Sequence, residues 1–187
     1  MVTVDGPSGT GKSTVSKAVA IGAGLPHLDT GAFYRAVTLA VLRAGADPTD
    51  AIAVSEIAAG LDLGQEEGRM FLDGADVSAE IRGDDVTAAV SAVSAHPDVR
   101  ARLVEMQRRW IAGHGHRGVV EGRDIGSVVF PEADIKIFLD AAPEVRAARR
   151  AAETAEDPDE VLADLNRRDR LDSSRAASPL IVPEGAV

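Results

Sequence analysis

Residues 6–13 read Gly-Pro-Ser-Gly-Thr-Gly-Lys-Ser, which matches the phosphate-binding loop pattern G-x-x-x-x-G-K-[ST] at every defined position. This feature constrains the fold more than any other, because such a loop needs a strand before it and a helix after it. Both are expected here: residues 2–4 form a short apolar strand pattern, and a helical pattern runs from about Lys12 to Ile21, where Gly22 and Gly24 stop it. Glycines let backbone N–H groups converge on an anion without Cβ clashes. The start of the helix adds partial positive charge. Lys12 is expected to reach the β- and γ-phosphates of a nucleoside triphosphate, and the Ser13 hydroxyl to coordinate Mg2+. A dinucleotide-type pattern also begins at Gly9-Thr10-Gly11, but Thr14 stands where its last glycine is required.

Strand and helix patterns alternate through the rest of the chain. Residues 27–29 suit a second strand, and 31–44 carry Phe33, Val37, Ala40, Val41 and Ala44 on one helical face. Asp50 is placed to cap a helix ending at Gly60. Residues 61–63, 69–72 and 75–77 are short strand candidates, with Asp73-Gly74 as a hairpin turn. Asp84 or Asp85 starts a helix towards Ser94, and Pro97 opens another whose core face is expected to be Val99, Leu103, Met106 and Trp110. Residues 119–121 and 135–139 read as strands buried in a parallel sheet. Pro143 opens a helix, and Asp157-Pro158-Asp159-Glu160 reads as cap, first-turn proline and capping-box acid. The Ala-rich, charged stretch 147–156 is the expected mobile region. The whole predicts an α/β fold with a mainly parallel sheet.

The 187 residues carry a net charge of −10, against the basic face of a protein that grips nucleic acid. Cysteine is absent, which excludes disulfides and thiolate metal sites and fits the cytoplasm. Met1 to Asp5 do not have the pattern of a signal peptide, and the longest strongly apolar stretch, 36–42, is far too short to cross a bilayer. With a negative average field, a phosphate substrate needs local cations. Arginine outnumbers lysine 17 to 3, so the positions of the arginines decide which ones matter.

Four segments resemble the bacterial cytidylate kinase family: Asp5 to Ser13; His27-Leu28-Asp29-Thr30-Gly31-Ala32-Phe33-Tyr34-Arg35; Glu121-Gly122-Arg123-Asp124-Ile125-Gly126-Ser127-Val128-Val129-Phe130-Pro131; and Arg167 to Leu180. The resemblance spans essentially the whole chain, and the last two segments are far more specific than the loop. It implies a nucleoside monophosphate kinase fold: a parallel sheet core flanked by helices, a small antiparallel insert and a short lid. The implied boundaries are a single domain over 1–187, with a core at 1–29, 114–150 and 165–187, an acceptor-binding insert at 30–113 and a lid at about 151–164. The family normally adds a strand and helix after the last residues here, so a missing C-terminal strand and helix are expected. The implied reaction is phosphoryl transfer from ATP to CMP or dCMP with Mg2+, by a cytoplasmic monomer without nucleic-acid or membrane partners.

Carried over residue by residue, the resemblance assigns ATP binding to Gly6, Pro7, Ser8, Gly9, Thr10, Gly11, Lys12, Ser13 and Thr14. Asp124, Arg100 and Ser91 are expected to read the cytosine, which offers an amine donor and two acceptors. Arg35, Arg82 and Arg123 are expected on the acceptor phosphate, where arginine forks outperform lysine. Thr30 and Tyr34 would line that site, and Asp172 and Arg175 would reach sugar and phosphates. Lys12, Arg123, Arg146, Arg150 and Arg168 form the expected catalytic set, closing on a transition state whose charge is spread over equatorial oxygens. Arg146, Arg149 and Arg150 share a helix face, which reads equally as a solvated charged surface. Glu121, often aspartate in the family, would hold Mg2+ through water, or else serve a stabilising salt bridge. Two rivals remain: a P-loop kinase for another small acceptor, and a nucleotide-gated switch. The switch lacks its usual Asp-x-x-Gly turn, and Asn166-Arg167-Arg168-Asp169 lacks the lysine of a guanine-reading motif.

Overall fold

The computed structural model describes every residue except 176 and 177, and every side chain except those of residues 153 and 154 as well. In chain order it contains β1 (Val2–Asp5), α1 (Lys12–Ala23), β2 (His27–Asp29), α2 (Thr30–Arg43) and α3 (Ala51–Gly60). β3 (Leu63–Glu66), β4 (Arg69–Leu72), β5 (Ala75–Asp76), α4 (Asp84–Val93) and α5 (Pro97–Gly113) follow. β6 (Val119–Glu121), β7 (Ile135–Phe138), α6 (Pro143–Thr154) and α7 (Pro158–Ser173) complete it, with a 3-10 turn at Glu80–Arg82 and a π-helical turn at Ile125–Val129. These elements form two compact units, one of residues 1–27 and 117–187, the other of residues 28–116.

The first unit is built on a four-stranded sheet in the order β2-β6-β1-β7, in which β1 pairs in parallel with both β6 and β7. All four residues of β1 are buried. Val2, Val4, Ala20 and Val119 form a core between α1 and the sheet, joined by Val19, Leu25, Ile137 and Leu139. β7 departs from the expected doubly buried strand: Ile135 is 51% exposed, because among the described residues β7 has a neighbouring strand on one side only. On its other side Val187 donates to the Lys136 carbonyl and accepts from the Phe138 N–H. α1 also runs past Gly22 to Ala23; the N–H of Gly24 closes it on the Ala20 and Ile21 carbonyls. The stretch 147–156, expected to be mobile, is largely the second half of α6. Ala147 and Ala151 are buried there against Val161 and Leu165 of α7. A small-residue stripe that looks uncommitted in sequence is what lets two helices pack closely.

In the second unit α2 is the central helix. Ala32, Phe33, Ala36, Val37, Leu39 and Val41 are buried on it, with α3, α4, α5 and β4 packed around. Asp29 and Asp50 cap α2 and α3 through their side chains, and Pro97 opens α5 as its residue type dictates. The antiparallel sheet β3-β4-β5 turns at Asp73-Gly74 (φ 49° and 78°) as expected. β3, however, is 63–66 rather than 61–63: a second positive-φ turn at Glu67-Gly68 sets the register Leu63–Leu72 to Glu66–Arg69. The buried seam of α5 is Val99, Arg100, Leu103, Gln107 and Ile111; Met106 and Trp110 are only partly buried. The expected stripe follows a strict period of seven, whereas the real seam follows the neighbours and takes in two polar residues.

Candidate active site

The phosphate loop sits between β1 and α1. Gly6 turns with φ 147°, and a Cβ there would lie 2.0 Å from the Leu139 carbonyl oxygen, so only glycine passes this close to the end of β7. α1 has no acidic residue in its first turn, leaving its positive end uncompensated by its own sequence. Lys12 folds back over the loop, donating from Nζ to the Pro7 carbonyl at 2.6 Å, an oxygen that also accepts from Thr10 Oγ1 at 3.1 Å. Burial first, then the charge of Arg123, pushes the Lys12 ammonium down to about 7, against the pull of Glu121, Asp5 and Asp172.

Ser13 Oγ donates to Glu121 Oε1 at 2.8 Å. A hydroxyl beside a carboxylate is a hard oxygen pair of the kind that suits Mg2+, so the residues present fit the cation. Among the described residues no cluster of three or more His, Cys, Asp or Glu side chains could hold a metal. Mg2+ sites typically rely on one or two carboxylates together with water and substrate phosphates.

Around the loop the first unit gathers arginines and their counter-charges. Arg123, two residues past the end of β6, pairs with Asp172 and lies 4.0 Å from Asp169. Asp172 also accepts from Arg175, and its backbone carbonyl takes the Leu180 N–H at 3.0 Å, tying the closing segment to α7. Arg146 is 3% exposed and commits three nitrogens: Nε to the Ala141 carbonyl (2.9 Å), one terminal nitrogen to the Ser8 carbonyl (2.8 Å), the other to Asp169 (2.7 Å). Arg149 donates to the Gly9 carbonyl. Arg168 is buried beside Asp164 (3.9 Å), and burial followed by the nearby Arg123 charge lowers its pKa. Arg150 lies exposed on α6, and Arg167 pairs with Asp164 at 2.5 Å.

The Arg123-Asp124 segment is fixed from behind. Asp5, fully buried at the end of β1, accepts from the N–H groups of Ile125 (2.8 Å) and Gly126 (2.7 Å). Burial raises the Asp5 carboxyl to about 6, opposed by those two N–H groups. The Val128 and Val129 N–H groups close the π-helical turn onto the Asp124 carbonyl, and the Asp124 side chain is buried. Gly126 admits no side chain, since a Cβ would lie 2.7 Å from Thr3 Oγ1.

Within the second unit, the Arg100 guanidinium lies 5.4 Å from the Tyr34 ring centroid, in cation–π range, and donates to the Ser94 carbonyl. Arg35 donates to the Ile81 carbonyl (3.1 Å) and Thr87 Oγ1 (2.9 Å), next to Arg82, which pairs with Asp29 at 2.8 Å. Thr30 and Ser91 are buried on α2 and α4. The residues sequence reasoning did not single out are Asp5, Ser16, His27 and Asp169. Asp5, His27 and Asp169 lie inside the family-like segments, but nothing local shows that Asp5 turns to the N–H groups of the π-helical turn or that Asp169 serves Arg146.

A phosphate-binding loop after the central strand of a parallel sheet, with a lysine, a serine–carboxylate pair and converging arginines, defines a P-loop nucleotide-binding protein. The family model described as cytidylate kinase matches residues 2–187. The chain is 55% identical over 192 residues to a cytidylate kinase of Mycobacterium leprae, covering 100% of this chain and 86% of that protein. It is 56% identical over 196 residues to one from Mycolicibacterium paratuberculosis (100% and 86%), and 52% identical over 195 residues to one from Corynebacterium efficiens (100% and 84%). The chain belongs to the cytidylate kinase family.

Proposed function

We propose that this chain transfers the γ-phosphoryl group of ATP to CMP and dCMP, giving ADP with CDP or dCDP. The observation that carries the reading is a set of cations at one phosphate loop in a member of this family: Lys12, Arg146 and Arg149 donate to the Pro7, Ser8 and Gly9 carbonyls, and the charge of Arg123 acts on Lys12. An oxygen of the acceptor phosphate attacks the γ-phosphorus and the bond from that phosphorus to the bridging β-γ oxygen breaks, with the electron pair leaving on ADP. The attacking oxygen is already an anion, so no general base is needed. The loop N–H groups and Lys12 hold the donor phosphates; Arg123 and Arg175 supply forks for the acceptor side. Arg146, Arg149, Arg150 and Arg168 stabilise the migrating charge. Ser13 and, through water, Glu121 would hold Mg2+, which when bound neutralises charge on the donor oxygens.

Asp124 accepts the cytosine amine in this reading, and Arg100 and Ser91 donate to its ring nitrogen and carbonyl. Thr30, Tyr34, Arg35 and Arg82 receive the rest of the acceptor, and Asp172 its sugar. Residues 30–113 act as the acceptor-binding insert and about 151–164 as a lid that excludes water. Among the described residues no helix is long and apolar enough to cross a membrane; a cytoplasmic monomer is the assembly we propose. The test is ADP release from ATP and Mg2+ with CMP, dCMP, UMP, AMP and GMP offered separately. Stimulation chiefly by CMP and dCMP is expected; preference for a purine acceptor would refute the assignment of Asp124, Arg100 and Ser91.

A further inference from the structure

We infer that His27 and Ser16 form a positioning relay that aims Glu121 at the Ser13 hydroxyl and thereby sets how strongly Mg2+ enhances nucleotide binding. The inference rests on the reading that Ser13 binds the cation and that Glu121 holds it through water.

A glutamate at the end of a strand carries three rotatable bonds, and a carboxylate that can swing offers a cation a poorly defined partner. Here both oxygens of Glu121 are fixed. Oε1 accepts from Ser13 Oγ at 2.8 Å, and Oε2 accepts from Ser16 Oγ at 2.6 Å. Ser13 and Ser16 stand three residues apart on α1, so they share a helix face and reach the same carboxylate. Glu121 is 3% exposed and Ser16 fully buried, so bulk water does not compete for the bond between them.

The direction of the next bond follows from counting protons. Ser16 has one hydroxyl hydrogen. The 2.6 Å contact to Glu121 Oε2 takes it in preference to the Ser13 carbonyl, which lies at 3.3 Å. The 2.9 Å contact between Ser16 Oγ and His27 Nε2 therefore runs from the ring N–H to the hydroxyl oxygen. His27 donates, Ser16 relays, and Glu121 Oε2 receives. The same ring nitrogen lies 3.9 Å from Oε1, so its N–H dipole also favours the carboxylate's orientation. Three elements meet in this chain of donors: α1 brings Ser16, β2 brings His27 and β6 brings Glu121. His27 and Ser16 touch neither the loop's phosphate-facing groups nor the reacting atoms in our reading, so they are positioning residues. Removing a hydrogen-bond partner from the groups that surround a metal site typically weakens metal binding by about 10–100-fold.

The experiment is calorimetric titration of a non-hydrolysable ATP analogue, with Mg2+ and with EDTA, into the wild type and three variants. The readout is the ratio of the two affinities, which isolates the metal's contribution and needs no turnover. Ser16→Ala and His27→Leu are expected to shrink that ratio roughly tenfold while leaving metal-free affinity essentially unchanged. His27→Gln, which keeps an N–H near the Nε2 position, is expected to retain most of it. An unchanged ratio in both Ser16→Ala and His27→Leu overturns the relay. So does an equal loss with and without metal, which is what a purely structural role would give. A wild type with no gain from Mg2+ overturns the reading of Ser13 and Glu121 itself, and the relay with it. Should Ser16→Ala fail to fold, the contrast between His27→Leu and His27→Gln decides alone.

Discussion

Nucleotide binding should draw a proton onto Lys12 at neutral to alkaline pH. An ordinary lysine ionises near 10.5 and stays charged throughout the working range. Lys12 is held at about 7 by burial and by Arg123. At pH 8 the empty site therefore holds its amine about nine-tenths neutral, and at pH 6 about nine-tenths charged. Phosphate oxygens beside Nζ supply the counter-charge that burial withholds, so the bound state favours the ammonium. Binding of ADP should then take up about 0.9 proton at pH 8, where the ligand's own phosphates, ionising near 6, are already fully charged. At pH 6 the uptake assigned to Lys12 should fall to about 0.1. Each pH unit above 7 should weaken binding about tenfold, or about 1.4 kcal/mol, until the bound-state value is passed. Titration calorimetry in buffers of different ionisation enthalpy reads the uptake directly. Lys12→Met provides the subtraction. Uptake below about 0.2 at pH 8, or equal uptake in Lys12→Met, would refute the reasoning. Stability of the empty protein should move the other way. The unfolded chain binds more protons at this lysine between about 7 and the ordinary value of 10.5, so this group makes the empty fold more stable as pH rises through that window.

Lys12→Ala should cut phosphoryl transfer by orders of magnitude with an unchanged circular-dichroism spectrum; near-normal turnover would remove the lysine from the chemistry. Asp124→Asn should raise the KM for CMP far more than that for ATP, because it loses a charge on the acceptor side; equal changes would place Asp124 elsewhere. Gly126→Ala should destabilise the fold by about 1–3 kcal/mol in urea melts, because the added carbon meets Thr3 Oγ1 at 2.7 Å and Asp5 Oδ2 at 3.3 Å. Thr3→Ala in the same chain should recover part of that loss, and failure to do so would mean that the Thr3 contact is not the cause. Asp5 ionises at about 6 when folded, above its ordinary 3.8, so the folded state holds the extra proton and stability falls as pH rises through that window. Asp5→Asn should flatten that fall in denaturation at pH 4.5 and 7.

The features legible in sequence are those whose cause is local. Asp157 and Pro158 open α7 because a cap and a preset φ act within one turn, and the structure has Asp157 accepting from the Asp159 and Glu160 N–H groups. The loop at 6–13 and the Asp73-Gly74 turn are local in the same sense. What sequence could not yield is set by partners distant along the chain. Arg146 and Arg149 share one helix face, yet Arg146 is buried between Ser8 and Asp169 while Arg149 and Arg150 are exposed. The π-helical turn at 125–129 is invisible because Asp5, some 120 residues earlier, holds its first N–H groups. The Glu67-Gly68 turn is faint in sequence, because glutamate is not one of the residues that mark a positive-φ turn, and the register of β3 depends on that turn.

The arginines at the loop also explain how a chain of net charge −10 presents a site for polyanions. Average charge acts through screened solvent over distances longer than about 8 Å at physiological ionic strength. Within the first unit the relevant separations are shorter, and the acids there are themselves placed. Asp172 spans Arg123 and Arg175, and Asp169 holds Arg146. Each carboxylate keeps a guanidinium oriented while no phosphate is bound, sparing the buried cations the larger desolvation cost of standing unpaired. A phosphate oxygen that replaces such a carboxylate meets a fork already in place. On the proposed site assignment, the affinity of the loop for phosphate depends on an exchange of partners. Neutralising Asp169 as Asp169→Asn should shift the binding of ADP while leaving the Asp172 pairs intact. If ADP affinity and its salt dependence are both unmoved, Asp169 is a fold-stabilising partner of Arg146 and takes no part in the exchange.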